Sequence, residues 1–419
     1  MYIKRNIAAE ILDALSTSPV VLLNGARQTG KSTLARKLAV WRNYEYFTLD
    51  DFTVLNAVLK DPVAFLSNIK KPVIIDEVQR AVQLFPAIKI IVDNNRIPGQ
   101  FLLTGSANVF MLPRLSESLA GRMEIISLWP FSCDELNAIK GNFIDCVFNQ
   151  ELEKIRFDDT SRDMLLKKIF WGGYPEIQKI SVERRRNAWF NSYLTTILQR
   201  DVKDISRIEG VHEFPRLLSL LASRSGSLLN MSNLSRNMGM VMMTLKRYLA
   251  ILAATFLVRR LPAWFRNVGK RLIKMPKIYL NDSGLLAYLL GINMEQLSSE
   301  PQIAGQLLES FVMQELSKQA SWSNVLPQVY FYRSTAGREV DFVLENRSGY
   351  IVGIEVKMTD TVTSQDFKGL DEMAKVTGKN FLRGIVLYTG SQMIPFGKNL
   401  FAVPVNVLWQ TGREQDAPF

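Results

Sequence analysis

Residues 25–33 combine glycines, a lysine and hydroxyl side chains at a spacing that suits phosphate binding. Gly25 and Gly30 enclose four residues, Lys31 and Ser32 follow directly, and an apolar run precedes them. Glycines let successive backbone N–H groups turn toward one anion at a helix N-terminus. An ordinary glycine turn is the alternative, but the apolar run, the Lys–Ser pair and the helical sequence that follows all agree with a P-loop. The residues predicted to bind ATP here are Gly25, Ala26, Arg27, Gln28, Thr29, Gly30, Lys31, Ser32 and Thr33.

Four side chains supply the groups that nucleotide hydrolysis needs. Lys31 is predicted to reach the β- and γ-phosphates, and the Ser32 hydroxyl is predicted to bind Mg²⁺. The apolar strand that starts at Val73 ends in Asp76 and Glu77, which is typical of a Walker B strand. We expect Asp76 to hold Mg²⁺ through water, and Glu77 to orient or deprotonate the attacking water. A strand end capped by two solvated acids is the alternative.

A third apolar strand carries the candidates for sensing the γ-phosphate. It ends in Thr104 and Ser106, of which Thr104 is predicted to contact the nucleotide. Arg114 and Arg122 follow this strand and are candidates for an arginine finger. Such a finger counters transition-state charge, either in its own subunit or in a neighbouring subunit of a homo-oligomer. A surface arginine without a catalytic role is the alternative for both.

A second set of charged side chains occurs near the C-terminus. Residues 340–345 and 350–357 are predicted to form two strands joined by a turn. Alternation then brings Asp341, Glu355 and Lys357 together on one face of this hairpin. The two carboxylates can bind Mg²⁺ or Mn²⁺, and the lysine can position water or stabilise developing phosphate charge. Glu309, on a predicted upstream helix, is a further candidate metal ligand, and a solvent-facing edge hairpin is the alternative.

Positive charge is concentrated in one segment of the chain. The net charge is +11, and residues 214–281 contain no acidic residue. The twelve basic residues of this segment are Arg216, Arg224, Arg236, Lys246, Arg247, Arg259, Arg260, Arg266, Lys270, Arg271, Lys274 and Lys277. A segment of this kind is expected to bind a polyanion such as DNA. Three short helices followed by two strands predict a winged helix whose third helix and wing face DNA phosphates. The alternative is a winged-helix scaffold that contacts protein.

The elements that must hold these residues divide the chain into four regions. Strand and helix signals alternate up to Leu128, which predicts a parallel α/β sheet of the P-loop NTPase type in residues 1–129. Helical patterns predict a lid over the nucleotide in residues 130–208. The basic winged-helix module spans residues 209–281, and a C-terminal α/β domain spans residues 282–419. The predicted fold class is therefore α/β.

Composition disfavours several classes of site and of protein. Cys133 and Cys146 are too few for a disulfide framework or a thiolate zinc site, so both are expected to be buried free thiols. His212 is the only histidine, which disfavours multi-histidine metal sites and most histidine-based nuclease chemistry. We expect neither a signal peptide nor a membrane span, because the chain opens in a helical pattern and no apolar run reaches about 18–20 residues. A cytoplasmic protein is expected.

The order of these parts resembles a family of prokaryotic AAA-type ATPases whose C-terminal domain, of unknown function, is similar to PD-(D/E)xK nucleases. The resemblance covers nearly the whole chain, and it is carried by residues 25–32, 74–77, 103–106, 119–122, 172–175, 338–342 and 354–357. It implies that Asp341, Glu355 and Lys357 match the nuclease motif, and that Glu309 matches the acid on its first helix. No proline precedes Asp341, a departure that is common in that superfamily.

The resemblance implies an ATP-dependent, DNA-associated role. The leading hypothesis is a Mg²⁺-dependent ATPase that is coupled through the basic module to DNA binding and, through the nuclease-like domain, to DNA cleavage. The alternative is a nucleotide-switched regulatory or interaction protein whose nuclease-like domain docks DNA or protein without cleaving it. The expected cofactors are ATP and Mg²⁺, with a second Mg²⁺ or a Mn²⁺ in the nuclease-like domain.

Overall fold

The computed structural model describes residues 2–106, 119–141, 143–149, 152, 155, 157–202 and 211–414. Arg114 lies outside these residues, so its role stays a prediction. Within them the chain forms a parallel sheet near the N-terminus and a mixed sheet near the C-terminus, with helices packed around both. The predicted α/β class is confirmed. No helix in the described ranges is long and apolar enough to cross a lipid bilayer.

The N-terminal part alternates helices and strands along the chain. The helices are α1 (Ala8–Thr17), α2 (Lys31–Arg42), α3 (Phe52–Lys60), α4 (Pro62–Asn68) and α5 (Leu84–Asn94). The strands are β1 (Val20–Asn24), β2 (Glu45–Thr48), β3 (Val73–Asp76), β4 (Phe101–Gly105) and β5 (Met123–Ser127). This alternation is the one expected from the sequence for a parallel sheet with helices on its faces.

These five strands are parallel and lie in the order β2-β3-β4-β1-β5. Strand β1 is flanked by β4 and β5, so that Val20 lies beside both Phe101 and Met123. Parallel strands all end at the same edge of a sheet, which is where open α/β sheets bind ligands. The loop after β1 and the carboxyl ends of β3 and β4 therefore lie at one edge.

Both faces of this sheet are covered, which explains the unbroken apolar runs in its strands. Leu22 and Ile75 pack on one face with side chains from α3, α4 and α5. Leu23 and Ile74 pack on the opposite face with α1 and α2. Because successive side chains of a strand point to opposite faces, each strand must be apolar at nearly every position.

The rest of the chain consists of shorter elements around one long helix. The helices are α6 (Cys133–Leu136), α7 (Phe143–Phe148), α8 (Arg162–Trp171), α9 (Glu183–Thr196), α10 (Phe214–Ala222), α11 (Met231–Met238), α12 (Met242–Ala254), α13 (Val268–Ile273), α14 (Ser283–Leu289), α15 (Met294–Ser299), α16 (Pro301–Ala320), α17 (Lys368–Thr377) and α18 (Val407–Gln410). The strands are β6 (Ile139–Gly141), β7 (Val258–Leu261), β8 (Lys277–Leu280), β9 (Gln328–Arg333), β10 (Glu339–Glu345), β11 (Ile351–Val356), β12 (Phe381–Tyr388), β13 (Ile394–Pro395), β14 (Leu400–Pro404) and β15 (Gly412–Glu414).

The helices predicted to form a lid pack on the C-terminal part of the chain. Phe143 of α7, Phe170 of α8 and Phe190 of α9 share one hydrophobic core with Phe311 of α16 and Trp409 of α18. The parallel sheet has separate cores. This differs from the expected lid over the nucleotide, because the apolar faces of these helices are buried against α16 and its neighbours. The predicted domain boundaries stay predictions.

A Gly-Gly-Tyr-Pro segment at residues 172–175, after α8, is hydrogen-bonded to Phe131 on one side and to Asp282 on the other. The backbone N–H of Gly173 donates to the carboxylate of Asp282 at 2.8 Å, and its carbonyl oxygen accepts from the N–H of Phe131 at 2.7 Å. A Cβ at Gly173 would lie 2.2 Å from the Phe131 carbonyl oxygen. Only glycine fits this close approach, so the packing of the backbone explains why a glycine occupies position 173.

The basic segment has the predicted order of three helices followed by two strands. Helices α10, α11 and α12 precede β7 and β8, which pair in antiparallel fashion with Val258 beside Leu280. Helix α13 connects the two strands. The winged-helix assignment stays a prediction.

The C-terminal sheet has the strand order β13-β14-β12-β11-β10-β9. Strands β10 and β11 are antiparallel with Phe342 beside Ile354, which confirms the predicted hairpin. Phe342 and Ile354 belong to the core that contains α16, whereas Val343 packs with Leu370 of α17. The hairpin is internal to the sheet, which excludes the alternative of an edge hairpin.

Candidate functional site

The loop between β1 and α2 has the backbone conformation that its glycines allow. Gly25 has a φ of 148°, and a Cβ at this position would lie 2.2 Å from the carbonyl oxygen of Leu128. Gly30 has a φ of 96° and directly precedes α2, which begins at Lys31. Backbone N–H groups at a helix N-terminus attract anions. The predicted P-loop therefore has the strand, loop and helix arrangement that phosphate binding requires.

Lys31 is buried in the curve of this loop. Its Nζ donates hydrogen bonds to the carbonyl oxygens of Gly25 at 2.8 Å and Ala26 at 2.7 Å. The Thr29 hydroxyl also donates to the Ala26 carbonyl, at 3.0 Å. The amine thus lies where phosphate oxygens can become its acceptors. The other residues predicted to bind ATP are the half-buried Arg27 and Ser32 and the exposed Gln28 and Thr33.

Asp76 ends β3, against which helix α2 packs. Its carboxylate accepts hydrogen bonds from the hydroxyls of Thr104 and, at 2.7 Å, Tyr46. Burial and the bond to Asp76 raise the pKa of Tyr46, which keeps this hydroxyl a donor. Such donors fix the orientation of a metal-binding carboxylate. The Asp76 carboxylate and the Ser32 hydroxyl of α2 are hard oxygen ligands, which fits Mg²⁺.

Glu77 leaves the strand in a left-handed conformation, with a φ of 63°. Its backbone N–H donates to the Thr104 hydroxyl at 3.2 Å. The Gln79 amide donates to the Glu77 carboxylate and, at 2.9 Å, to the Ser106 hydroxyl. A non-glycine residue in this conformation carries strain of about 1–3 kcal/mol, which clusters at functional sites. The structure therefore brings together Asp76, Glu77 and both candidate hydroxyls.

Arg5, which the sequence did not single out, ties the P-loop to the chain that follows the sheet. Its guanidinium donates to the carbonyl oxygens of Thr29 at 2.9 Å and Trp129 at 2.5 Å. It also pairs with Glu135 at 3.1 Å, and both side chains are at most 4% exposed. The guanidinium lies 4.5 Å from the centre of the Phe131 ring. Arg5 thereby holds the residue that precedes Gly30 in place.

Arg122 lies far from these groups. It precedes β5, whose first residue pairs with the first residue of β1, so it belongs to the edge opposite the P-loop. Its side chain pairs with Asp93 and donates to the Ala120 carbonyl oxygen at 3.0 Å. An arginine finger in the same subunit is therefore wrong for Arg122, because the length of strand β1 separates it from the loop. A finger acting on a neighbouring subunit stays a prediction.

The acids predicted in the C-terminal domain do lie close together. The Asp341 carboxylate accepts a hydrogen bond from the backbone N–H of Val356 at 2.9 Å, which places it beside Glu355. Lys357 pairs with Glu355 at 2.9 Å. Alternation along the hairpin thus brought Asp341, Glu355 and Lys357 to one place, as predicted.

Lys277 lies among these acids and was not expected there. Its Nζ is 3.1 Å from Glu309, 2.5 Å from Glu339 and 3.6 Å from Asp341, and its side chain is 4% exposed. The Tyr279 hydroxyl donates to Glu309 at 2.5 Å. We call Lys277, Tyr279, Glu309, Glu339 and Asp341 the acidic cluster. Its carboxylates already accept bonds from the chain's own donors.

Burial and neighbouring charges shift the pKa values of this cluster and of Glu355 beside it. Burial and the Asp341 carboxylate raise the pKa of Glu309 to about 7, against the opposing effect of Lys277. Burial and Asp341 likewise raise the pKa of Glu355 to about 8, against the opposing effect of Lys357. Burial disfavours the charged form of Lys277, but its carboxylate neighbours outweigh this and raise its pKa. Lys277 is therefore a buried ammonium ion.

The residues present do not fit the predicted nuclease metal. Glu309, Asp341 and Glu355 were its expected ligands, but the Lys277 ammonium lies against two of them. Within the described ranges, no group of three or more histidine, cysteine, aspartate or glutamate residues is placed to hold a metal ion. The expected metal site is thus an ion-pair cluster in this arrangement.

Two cations of the expected DNA-binding wing are also engaged. Arg271 pairs with Glu345 of the C-terminal sheet, and its guanidinium lies 4.9 Å from the centre of the Tyr330 ring. Arg259 is stacked at 4.0 Å over Trp129. The basic segment was expected to face DNA phosphates, but Arg271 and Arg259 instead contact acidic and aromatic side chains that are distant in sequence. The exposed basic residues of helices α11 and α12 are Arg236, Lys246 and Arg247.

Comparison with known proteins agrees with the nucleotide site. Residues 17–137 match the model of an AAA domain, which identifies the first part of the chain as an AAA-type ATPase domain. Residues 162–296 and 304–408 match two domains of unknown function, DUF8612 and DUF4143. The nuclease-like character of the last domain therefore stays a proposal.

Three relatives match this chain over most of its length. The uncharacterized protein Rv2008c of Mycobacterium tuberculosis is 31% identical over 413 residues, which cover 98% of this chain and 85% of that protein. The chain belongs to the family of Rv2008c. The uncharacterized protein Mb2031c of Mycobacterium bovis is similar to this chain with the same identity and the same coverage as Rv2008c. Protein MJ1544 of Methanocaldococcus jannaschii is similar at 21% identity over 86% of this chain and 80% of its own.

Solved structures similar to this member of the Rv2008c family are more distant. The Walker-type ATPase PABY2304 of Pyrococcus abyssi is 14% identical, with a TM-score of 0.36 over 69% of this chain and 96% of its own. The RuvB Holliday junction branch migration motor of Thermotoga maritima is 20% identical, with a TM-score of 0.30 over 62% of this chain and 90% of its own.

Proposed function

We propose that this protein binds ATP and hydrolyses it with the help of Mg²⁺. The observation that carries the proposal is the position of Lys31 inside the loop, at the sheet edge where Asp76 and Glu77 end their strand. A phosphate loop with its lysine, a Mg²⁺-binding hydroxyl and carboxylate, and a residue that positions water are the parts that phosphoryl transfer to water uses. The match of residues 17–137 to an AAA domain supports the same activity.

Each residue of the site has a task in this reaction. The Lys31 amine exchanges its loop carbonyls for oxygens of the β- and γ-phosphates, while the N–H groups of the loop cradle the same phosphates. Ser32 and, through water, Asp76 would hold Mg²⁺, which would supply positive charge beside the phosphate oxygens. Glu77, oriented by Gln79, accepts a hydrogen bond from the attacking water and later its proton. Thr104 bonds both Asp76 and the Glu77 backbone, so it keeps the two acids in register.

Replacing Glu77 with glutamine is expected to separate binding from hydrolysis. The amide keeps the shape of the side chain but cannot take a proton from water, so turnover should fall by about 100-fold or more while ATP still binds. Phosphate release and binding of a fluorescent ATP analogue measure the two effects.

The control for this variant is Asp50→Asn, since Asp50 pairs with Arg80 and is largely exposed. It should leave turnover unchanged. Chelating Mg²⁺ should stop the wild-type reaction. Full turnover by Glu77→Gln, or turnover that survives chelation, would contradict the proposal.

We also propose that the basic segment binds DNA through helices α11 and α12. Arg236, Lys246 and Arg247 are exposed there, and residues 214–281 contain no acid to repel a phosphate. Contacts of this kind release counterions, so the affinity for DNA should fall steeply with salt.

We also propose that subunits associate in the presence of ATP. Arg122 lies away from the loop of its own subunit, so it could act as an arginine finger only on a phosphate bound by a neighbouring subunit.

The double variant Lys246→Gln/Arg247→Gln is expected to weaken DNA binding and to lower its salt dependence. Loss of two phosphate contacts should reduce the slope of log affinity against log salt by about 2. Fluorescence anisotropy with a short duplex at several salt concentrations measures it. The matched control is Lys60→Gln/Lys70→Gln, which removes two exposed lysines of the ATPase domain. Equal slopes for both double variants would refute binding by α12.

A second candidate function is a nucleotide-switched interaction protein whose C-terminal domain docks a partner without cleaving it. The acidic cluster favours this candidate, because Lys277 neutralises the carboxylates that cleavage would need. Incubation of linear, circular and branched DNA with Mg²⁺ or Mn²⁺ distinguishes the two. Cleavage that is lost in Asp341→Ala would identify an ATPase–nuclease, whereas DNA-stimulated ATP turnover without cleavage would identify a switch.

A further inference from the structure

The acidic cluster contains two of the expected ligands of a nuclease metal, Glu309 and Asp341, but both lie against the buried ammonium of Lys277. We propose that Lys277 takes the place of a divalent cation in this cluster, and that the cluster is a clasp between the basic segment and the C-terminal domain. This inference does not depend on ATP hydrolysis.

The first argument is competition for the same oxygens. The Lys277 ammonium lies within 4 Å of Glu309, Glu339 and Asp341. A divalent ion bound by these carboxylates would be about 2.0–2.6 Å from their oxygens. Metal and ammonium would then be near neighbours in a poorly solvated space, where like charges repel strongly. One cation excludes the other.

The second argument is that Lys277 is held at both ends, by its backbone and by its ammonium group. Its backbone pairs with Leu261 in β7 and forms a bridge to Leu228. Its ammonium lies 5.7 Å from the centre of the Phe331 ring, on strand β9 of the C-terminal sheet. Because the side chain is only 4% exposed, the ammonium cannot reach solvent unless the surrounding residues move. The lysine is therefore built into the cluster.

The third argument is that a second tie joins the same two parts of the chain. Arg271 of α13 pairs with Glu345 of β10, and these side chains are 11% and 17% exposed. Lys277 and Arg271 thus both reach from the basic segment to the hairpin of β10 and β11. Lys277 is buried and Arg271 is half-buried, and both are paired with acids of one domain. Separation of the two parts would leave these charges without partners, so the two ion pairs act as a clasp.

Mn²⁺ binding tests the proposal directly. All proteins carry Asp76→Asn, which removes the carboxylate of the nucleotide site, and are titrated without nucleotide while free Mn²⁺ is followed by electron paramagnetic resonance. With Lys277 present, no bound Mn²⁺ should depend on Asp341. Lys277→Gln should raise the Mn²⁺ affinity at least about tenfold, because a repelling charge is gone. Adding Asp341→Asn should abolish that gain.

Two further variants keep the test decisive. Lys277→Gln/Glu339→Gln removes one charge of each sign, so it preserves the charge balance if the single variant does not fold, and it should also gain Mn²⁺ affinity. Arg271→Gln breaks the other tie and should gain none. Mn²⁺ binding that Asp341→Asn removes while Lys277 is present would overturn the proposal, and so would folded Lys277 variants that gain no affinity. ATP turnover is measured separately on the protein that retains Asp76, so failure of the proposed ATPase is a distinct result.

Discussion

Replacing Lys31 with alanine is expected to abolish ATP turnover while the protein stays folded. The Lys31 amine donates to the carbonyl oxygens of Gly25 and Ala26 inside the loop. Its removal would leave the β- and γ-phosphates of ATP without a positively charged partner. Loss of a preorganised cationic donor costs about 100-fold to 1000-fold in rate. Phosphate release measures turnover, and circular dichroism confirms that the helices remain.

The control for Lys31→Ala is Lys37→Ala, an exposed lysine on the same helix. It changes the net charge equally but lies outside the loop, so turnover should be unaffected. Nucleotide binding by Lys31→Ala should also weaken. Normal turnover in this variant would refute the P-loop assignment and with it the proposed ATPase.

Replacing Arg5 with methionine is expected to destabilise the fold and to weaken ATP binding together. Its partner Glu135 is fully buried and would be left without its cation, while the carbonyl oxygens of Thr29 and Trp129 would lose a donor. Breaking a buried ion pair on one side costs about 3–5 kcal/mol in the free energy of unfolding. Because Thr29 precedes Gly30, the loop should also lose its fixed shape and KM for ATP should rise.

Urea unfolding and steady-state kinetics measure these two effects of Arg5→Met. The matched control is Arg80→Met, which breaks the ion pair with Asp50 on the surface and should cost less than about 1 kcal/mol. The double variant Arg5→Met/Glu135→Gln should recover part of the stability, since it removes the unpaired charge. An Arg5→Met protein as stable as the wild type, with unchanged KM, would contradict this account of Arg5.

Tyr46 and Gln79 are residues of the candidate nucleotide site that were not predicted from the sequence. Tyr46 lies on β2 and bonds the Asp76 carboxylate, and Gln79 lies two residues after Glu77 and bonds its carboxylate. Gln79 had a signal, since it is a polar side chain only two residues after Glu77. Tyr46 had none, because a tyrosine in a strand is normally a packing residue.

Local patterns were sufficient wherever neighbouring residues decide the outcome. The P-loop is one continuous segment whose glycines determine its own backbone, so its sequence predicted the loop and the helix after it. The β10–β11 hairpin is similar, because a short turn and strict alternation decide which side chains share a face. The α/β class also followed, since alternating helices and strands favour a parallel sheet.

The sequence alone therefore determined the conformation of the predicted P-loop, the acids at the end of β3, and the placement of Asp341 beside Glu355. Only the tertiary structure decided the packing of the predicted lid on α16, the position of Arg122 at the far edge of the sheet, and the place of Lys277 among the acids. The reason is physical. A lysine in a basic segment and a glutamate thirty-two residues later carry no mutual signal in sequence, and burial of both in one low-dielectric space joins them.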